Sequence, residues 1–195
     1  MRLTMSTTGY TVFDTPIGLC GIAWGPSGLT GVQLPEEDAA ATRARMQRRF
    51  PQVAECAPPE PVQHAIDRIV ALLEGRPTEP AGLSDLPLDM TGVPPFHQRV
   101  YALARQMAPG ETMTYGEMAR RLGDPGAARA VGQALGHNPF APVVPCHRIL
   151  AADGRPGGFS ASGGARTKLR LLEIEGAHFG GGPGLFDEPP QRGTR

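Results

Sequence analysis

A chain of 195 residues, 40% hydrophobic and 19% charged, is long enough for a packed core and too apolar to be disordered. Its formal net charge is zero, which argues at first against a nucleic-acid partner. The distribution argues the other way. Residues 1–90 hold 7 Lys/Arg against 11 Asp/Glu, residues 91–195 hold 12 against 8, and between Arg99 and Arg170 the count is 10 against 4. A basic second half beside an acidic first half suggests that the second half meets phosphate, although ordinary surface charge would give the same count. Three cysteines, Cys20, Cys56 and Cys146, with no C-x-x-C spacing argue against a disulfide framework and a zinc knuckle and point to a reducing cytoplasm. No apolar run is long enough for a membrane span, and the first residues lack the apolar stretch of a secretory signal.

In chain order, Tyr10 to Phe13, Ile17 to Trp24 and Leu29 to Leu34 are short β-rich runs joined by turn residues, which predicts an antiparallel meander. Glu36 to Phe50 reads as a helix whose Arg43, Arg45, Arg48 and Arg49 form a solvated face. After a Pro-rich link, Val62 to Leu73 repeats apolar residues at helical spacing and stops at Gly75-Arg76-Pro77. Residues 76–95 read as loop, with one short strand around Leu86 to Met90, and the domain boundary is expected there. Nothing in residues 1–90 suggests chemistry. Pro94-Pro95 opens a third helix. Thr114 with Glu117 makes a capping box for a short helix to Leu122. Gly123-Asp124-Pro125-Gly126 breaks it, and a second helix runs from Ala127 to about Gly136. This is the outline of a helix-turn-helix. The second helix is small-sided, with Arg129 its only charge, so it could lie in a nucleic-acid groove or simply pack closely inside the domain.

The run from Asn138 to Ile149 carries the chemistry. Pro139, Pro142 and Pro145 forbid an α-helix, and the apolar residues between them predict a rigid, extended and buried segment. It ends in Cys146-His147-Arg148, where a thiol, a base and a fixed cation together can favour thiolate; the plainer reading is a buried core cysteine. A Gly/Ser-rich loop from Gly157 to Gly164 follows, then a last helix from Lys168 to Glu175. From Gly180 the chain reads as a disordered tail.

These segments together resemble the O6-alkylguanine-DNA alkyltransferases. The matching text is Phe96…Val100, Thr114-Tyr115-Gly116-Glu117, Arg129-Ala130-Val131-Gly132, Asn138-Pro139, Pro145-Cys146-His147-Arg148, Gly157-Gly158-Phe159 and Lys168 through Leu171-Leu172 to Glu175. The resemblance is close over about residues 90–178. It implies a two-domain α/β chain: residues 1–90 an α+β domain with a small antiparallel sheet, residues 91–178 a mostly α, winged-helix-like domain with the helix-turn-helix and active site, residues 179–195 a tail. It also implies direct-reversal repair of DNA: Cys146 takes the alkyl group from O6-alkylguanine, with O4-methylthymine left open, and the protein is consumed. By the same resemblance His147 is the base acting through a water, Glu175 orients it, Tyr115 assists the leaving guanine, and Asn138 braces the turn. Arg129 fills the space of the flipped nucleotide, and Thr114, Tyr115, Ala130 and Gly132 meet the minor groove of double-stranded DNA. Phe159, Ser160, Ile149, Leu135 and Lys168 form the base pocket. Arg148 reads as a structural ion pair. No cofactor and no metal is expected, and the protein is expected to be a monomer that could assemble cooperatively on DNA.

One departure stands out. Ser160-Ala161-Ser162 precedes Gly163-Gly164 where the family has a single residue, an apparent two-residue lengthening that puts the loop's contacts to the base in question. Three rival readings remain: a non-enzymatic alkyl-base-flipping protein, which would replace the acceptor cysteine; an alkylation-responsive regulator, which would need a further DNA-reading domain; and a Cys-His hydrolase, which would need an oxyanion hole. Within the tail, Gly184-Leu185-Phe186-Asp187 is a candidate docking peptide for a repair partner.

Overall fold

A computed structural model describes residues 8–78 and 82–177. The tail and its docking-peptide candidate lie outside the described residues. The N-terminal meander is built of β1 (Gly9–Thr15), β2 (Gly18–Gly25) and β3 (Gly28–Gln33), antiparallel in the order β1-β2-β3. A register shift at Ala23/Trp24 twists the sheet so that its apolar face closes on a core. Helix α1 (Ala39–Arg49), capped by the Asp38 carboxylate accepting from the Ala41 amide, and helix α2 (Glu60–Leu73) pack on the sheet. Val62, Ala65, Ile66, Ile69, Leu72 and Leu73 of α2 are buried, the face that their spacing predicts.

The short strand expected around Leu86 to Met90 is reduced to one parallel bridge between Leu29 and Leu88. The cause is local. Leu29 donates to Pro87 O at 2.9 Å and Asp89 donates to Leu29 O at 2.8 Å, and Pro87 has no N–H to extend a ladder. This approach is close enough to require glycine at Gly28, where φ is +139° and a Cβ would fall 2.6 Å from Pro87 O.

The second half contains α3 (Pro95–Ala104), β4 (Met113–Thr114), α4 (Tyr115–Arg121), α5 (Ala128–Gly136), β5 (Ile149–Leu150) and α6 (Ala165–Ile174). Helix α6 begins three residues before the expected Lys168. Thr114 accepts from the Glu117 amide and Glu117 accepts from the Thr114 amide, so α4 has the capping box. Tyr101 Oη donates to Ala134 O at 2.8 Å and ties α3 to α5. One buried apolar cluster runs from Cys20, Ile22 and Trp24 of the sheet through Ile69 and Tyr101 to Val144, Cys146 and Leu171. Burying these side chains supplies most of the driving force for folding.

Candidate active site

The segment from Asn138 to Pro145 is buried but not extended. It is a chain of turns with a cis Ala141–Pro142 peptide. Asn138 explains the difference. Its Oδ1 accepts from the Phe140 amide at 2.9 Å, and its Nδ2 donates to Val144 O at 2.8 Å and to Cys146 Sγ at 3.2 Å. An amide side chain that takes over backbone partners folds the proline run on itself.

The run ends in a single 3₁₀ turn, Cys146–Arg148, which leads directly into β5. Strand β5 pairs in parallel with β4, Met113 opposite Ile149 and Thr114 opposite Leu150. Because Tyr115 follows β4 and Cys146 lies just before β5, this ladder brings the phenol of α4 beside the thiol. At about three residues per turn, consecutive 3₁₀ side chains point roughly 120° apart. Cys146 and His147 are therefore neighbours in sequence but face different surroundings.

His147, fully buried, has Nε2 2.9 Å from Glu175 Oε1. An ionised carboxylate only accepts, so Nε2 carries the proton and donates. Burial pushes the His147 pKa down, with the Glu175 carboxylate acting in the opposite sense. The ring is neutral, and Nδ1 is its basic atom; among the described residues it is buried with no hydrogen-bond partner. Glu175 also accepts from Arg148 Nε and Nη2, each at 2.8 Å, and from the Gly110 amide at 3.1 Å. Burial pushes the Glu175 carboxyl upward, but the bonds from His147 and Arg148 outweigh it and hold the pKa at about 2. Arg148 Nη1 also donates to Met107 O at 2.6 Å, so this cation is a structural ion pair.

The Cys146 thiol is pushed up by burial; the Asn138 amide and the Lys168 ammonium oppose that. It rests as a thiol and requires a base. Tyr115 is likewise pushed up by burial, so its hydroxyl is a donor. Cys146 opens onto a cavity of about 830 Å³ lined by Tyr115, Arg129, Gly132, Leu135, Phe159 and Ser160, among others. The Gly157 backbone approaches Tyr115 closely: φ is +65° and a Cβ would lie 3.5 Å from Oη.

Two residues expected in the base pocket lie elsewhere. Ile149 and Lys168 do not line the cavity. Both are fully buried, and Lys168 Nζ donates to Ile149 O and sits 5.6 Å from the Tyr115 ring centroid. They support the wall from behind because the β4–β5 ladder turns Ile149 into the core. Asn138 lines a second, smaller cavity. The Thr114 hydroxyl is engaged in capping α4, donating to Glu117 Oε2 at 2.8 Å. Ala130, expected at the minor groove, is half-buried against the core. Gln133, Gly136, Ala151 and Ala152 do line it and escaped the sequence reading. The helical spacing of Gln133 from Arg129, one turn apart, is the signal that could have found it.

Comparison with known proteins supplies the deciding observation. Residues 95–177 match the family described as 6-O-methylguanine DNA methyltransferase, DNA binding domain. The methylated-DNA–protein-cysteine methyltransferase of Mycobacterium tuberculosis is 37% identical over 180 residues, 91% of this chain and 98% of that one.

The chain belongs to the methylated-DNA–protein-cysteine methyltransferase family.

The Mus musculus methyltransferase is 34% identical over 177 residues, 88% of this chain and 82% of that one. The crystal structure of Mycobacterium tuberculosis OGT in complex with DNA superposes with a TM-score of 0.67 at 35% identity, covering 86% of this chain and 92% of that one. As a methyltransferase of this family, the chain has the expected two-part α/β architecture, a small antiparallel sheet followed by a mostly helical region. Among the described residues, no helix is long and apolar enough to cross a membrane.

Proposed function

We propose that the protein repairs DNA by direct reversal, moving the alkyl group of O6-alkylguanine in double-stranded DNA irreversibly onto Cys146. The observation that carries the reading is one arrangement. A buried thiol opens onto a cavity between the helix-turn-helix and the glycine loop, and the next residue of the same 3₁₀ turn is a neutral imidazole fixed by a buried carboxylate.

In this reading His147 Nδ1 accepts the Cys146 proton through a water. Glu175 and Arg148 hold the ring in the tautomer that leaves Nδ1 basic. Sγ then attacks the alkyl carbon in line; the S–C bond forms as the C–O6 bond breaks. The electron pair leaves on guanine, which regains a proton, and the Tyr115 hydroxyl steadies the departing base by donating a hydrogen bond. Lys168, whose pKa burial lowers to about 8, keeps a cation near the nascent thiolate. The thioether is not a leaving group, so each molecule acts once.

The target nucleotide must leave the stack. Arg129 is exposed at the start of α5 and lines the mouth of the cavity; in this reading it fills the vacated space while α5 lies in the minor groove, with Gly132 allowing close approach. Residues 91–178 bind DNA and accept the alkyl group, residues 1–90 hold the site from behind, and the protein works as a cytoplasmic monomer. The test is an oligonucleotide duplex bearing tritiated O6-methylguanine. One label per protein on Cys146, lost in Cys146→Ala, is expected; multiple turnover would sink the suicide mechanism, and binding without label would favour a non-enzymatic base-flipping protein.

A further inference from the structure

Cys146 faces two cavities. The second, of about 270 Å³, shares Cys146, Gly136, Phe159 and Ser160 with the first and extends toward the N-terminal sheet. Its far wall is polar, formed by Gln33, Glu36, Arg45 and Arg49. Arg49 was expected on a solvated helix face, yet it is half-buried. Nη1 donates to Val32 O and Gln33 Oε1, both at 3.0 Å, and Nη2 donates to Pro139 O at 3.1 Å.

All three acceptors are neutral. The guanidinium also lies 5.2 Å from the Phe50 ring centroid, and no carboxylate pairs with it among the described residues. Glu36, the acid on this wall, accepts from Gln33 Nε2 at 3.0 Å and faces Arg45 at 3.9 Å. Two guanidiniums against one carboxylate leave the wall one positive charge in surplus. Among the described residues three of the five N–H donors of Arg49 are used; Nε–H and one Nη2–H remain, the edge that a carboxylate takes side-on.

In-line displacement puts O6 opposite Sγ, so any further atoms on the reacting carbon project sideways from that axis. In the alkyl-transfer reading the guanine occupies the first cavity, and the second is lined by the same cysteine. Building on the alkyl-transfer reading, we propose that Arg49 is a specificity determinant for anionic alkyl groups, with the second cavity receiving the carboxylate of an O6-carboxyalkylguanine such as O6-carboxymethylguanine. The transfer balances as before. Sγ bonds the methylene carbon, the C–O6 bond breaks with its electron pair, the thiol proton ends on guanine, and the product is S-carboxymethyl-cysteine.

The test compares single-turnover rates on duplexes bearing O6-carboxymethylguanine or its neutral isostere, O6-carbamoylmethylguanine, with O6-methylguanine as reference. Taking the carboxymethyl-to-carbamoylmethyl ratio within each protein cancels differences in folded fraction and DNA affinity, and comparing variants with wild type cancels the intrinsic reactivity of the two groups. The ratio is expected to fall about tenfold in Arg49→Gln, the worth of one charge-assisted hydrogen bond, and to be partly restored in Arg49→Lys. It should also fall, by less, in Arg45→Gln, which removes the surplus charge while leaving the Pro139 contact. That variant decides the matter if Arg49→Gln does not fold. An unchanged ratio in the folded variants overturns the proposal, as does a wild type that dealkylates O6-methylguanine but not the carboxymethyl lesion. Failure on O6-methylguanine itself would instead overturn the alkyl-transfer reading.

Discussion

At the scale of single residues, a strong electrostatic arrangement is assembled around Glu175. One carboxylate answers His147, Arg148 and the Gly110 amide with its side chain only 3% exposed. Its pKa lies at about 2 instead of 4.5. A depressed folded-state pKa gives stability that is present above the unfolded value and lost as pH falls through the folded one. Acid titration of stability should therefore show a component lost between about 4.5 and 2. Glu175→Gln should remove that component, and chemical denaturation as a function of pH measures it. The same variant leaves Arg148 buried with no anion, so a loss of about 3 kcal/mol or more at neutral pH is expected. Asn138→Ala removes three hydrogen bonds of the active-site turn. A stability loss of about 2–3 kcal/mol, read from urea unfolding, should accompany slower alkyl transfer. Among the described residues Arg129 makes no hydrogen bond or ion pair with another element, so Arg129→Ala should spare stability. It should impair repair of duplex DNA far more than reaction with free O6-benzylguanine. Equal losses on both substrates would remove its role in holding the base outside the helix.

Among the elements, α4 and α5 divide two tasks. Helix α4 is only seven residues long, too short to persist by propensity alone, and its capping box ties it to β4. Thr114→Ala should cost about 1 kcal/mol of stability in a denaturation curve. Because the hydroxyl is already engaged in the cap, DNA affinity at matched folded fraction should change little. Helix α5 has no side-chain cap and is held through Val131, Ala134 and Leu135, with Arg129, Gly132 and Gln133 left toward the cavity. A Cβ on Gly132 would meet Tyr115 at 3.8 Å, ordinary van der Waals contact. Gly132→Ala should therefore stabilise the helix by roughly 0.5–1 kcal/mol while weakening binding to duplex DNA. Thermal melts and a DNA titration would show the two effects in opposite directions.

For the whole molecule, the N-terminal sheet acts as a backing plate. Val32 of β3 donates to Pro139 O at 2.8 Å, and Arg49 of α1 donates to the same carbonyl. Residues that carry no chemistry in sequence thus brace the turn that presents Cys146. The charge asymmetry also belongs to this scale. With 10 of the 19 Lys/Arg lying between Arg99 and Arg170, DNA affinity should fall steadily as salt rises, with little dependence on sequence. A binding series from low to physiological salt measures the slope, and a flat line would show that phosphate contacts are not what holds the DNA.

The sequence by itself determined the local elements and the reactive tripeptide. Alternation and turn residues mark the meander, periodicity marks α2 and α3, the Thr114/Glu117 pair marks the start of α4, and Cys146-His147-Arg148 marks the site, because each of these signals is confined to a few neighbouring positions. The tertiary structure decided what depends on partners distant in the chain. The β4–β5 ladder joins residues 36 positions apart. It sets Tyr115 beside Cys146 and withdraws Ile149 and Lys168 from the cavity wall. Asn138, engaging its own backbone, folds a proline run that reads as extended into turns. Arg49 looked like one more exposed arginine on α1 because helical periodicity cannot reveal a carbonyl at position 139. Local rules see the covalent neighbourhood, whereas the direction of a side chain and the charge it meets are set by which distant segment packs against it.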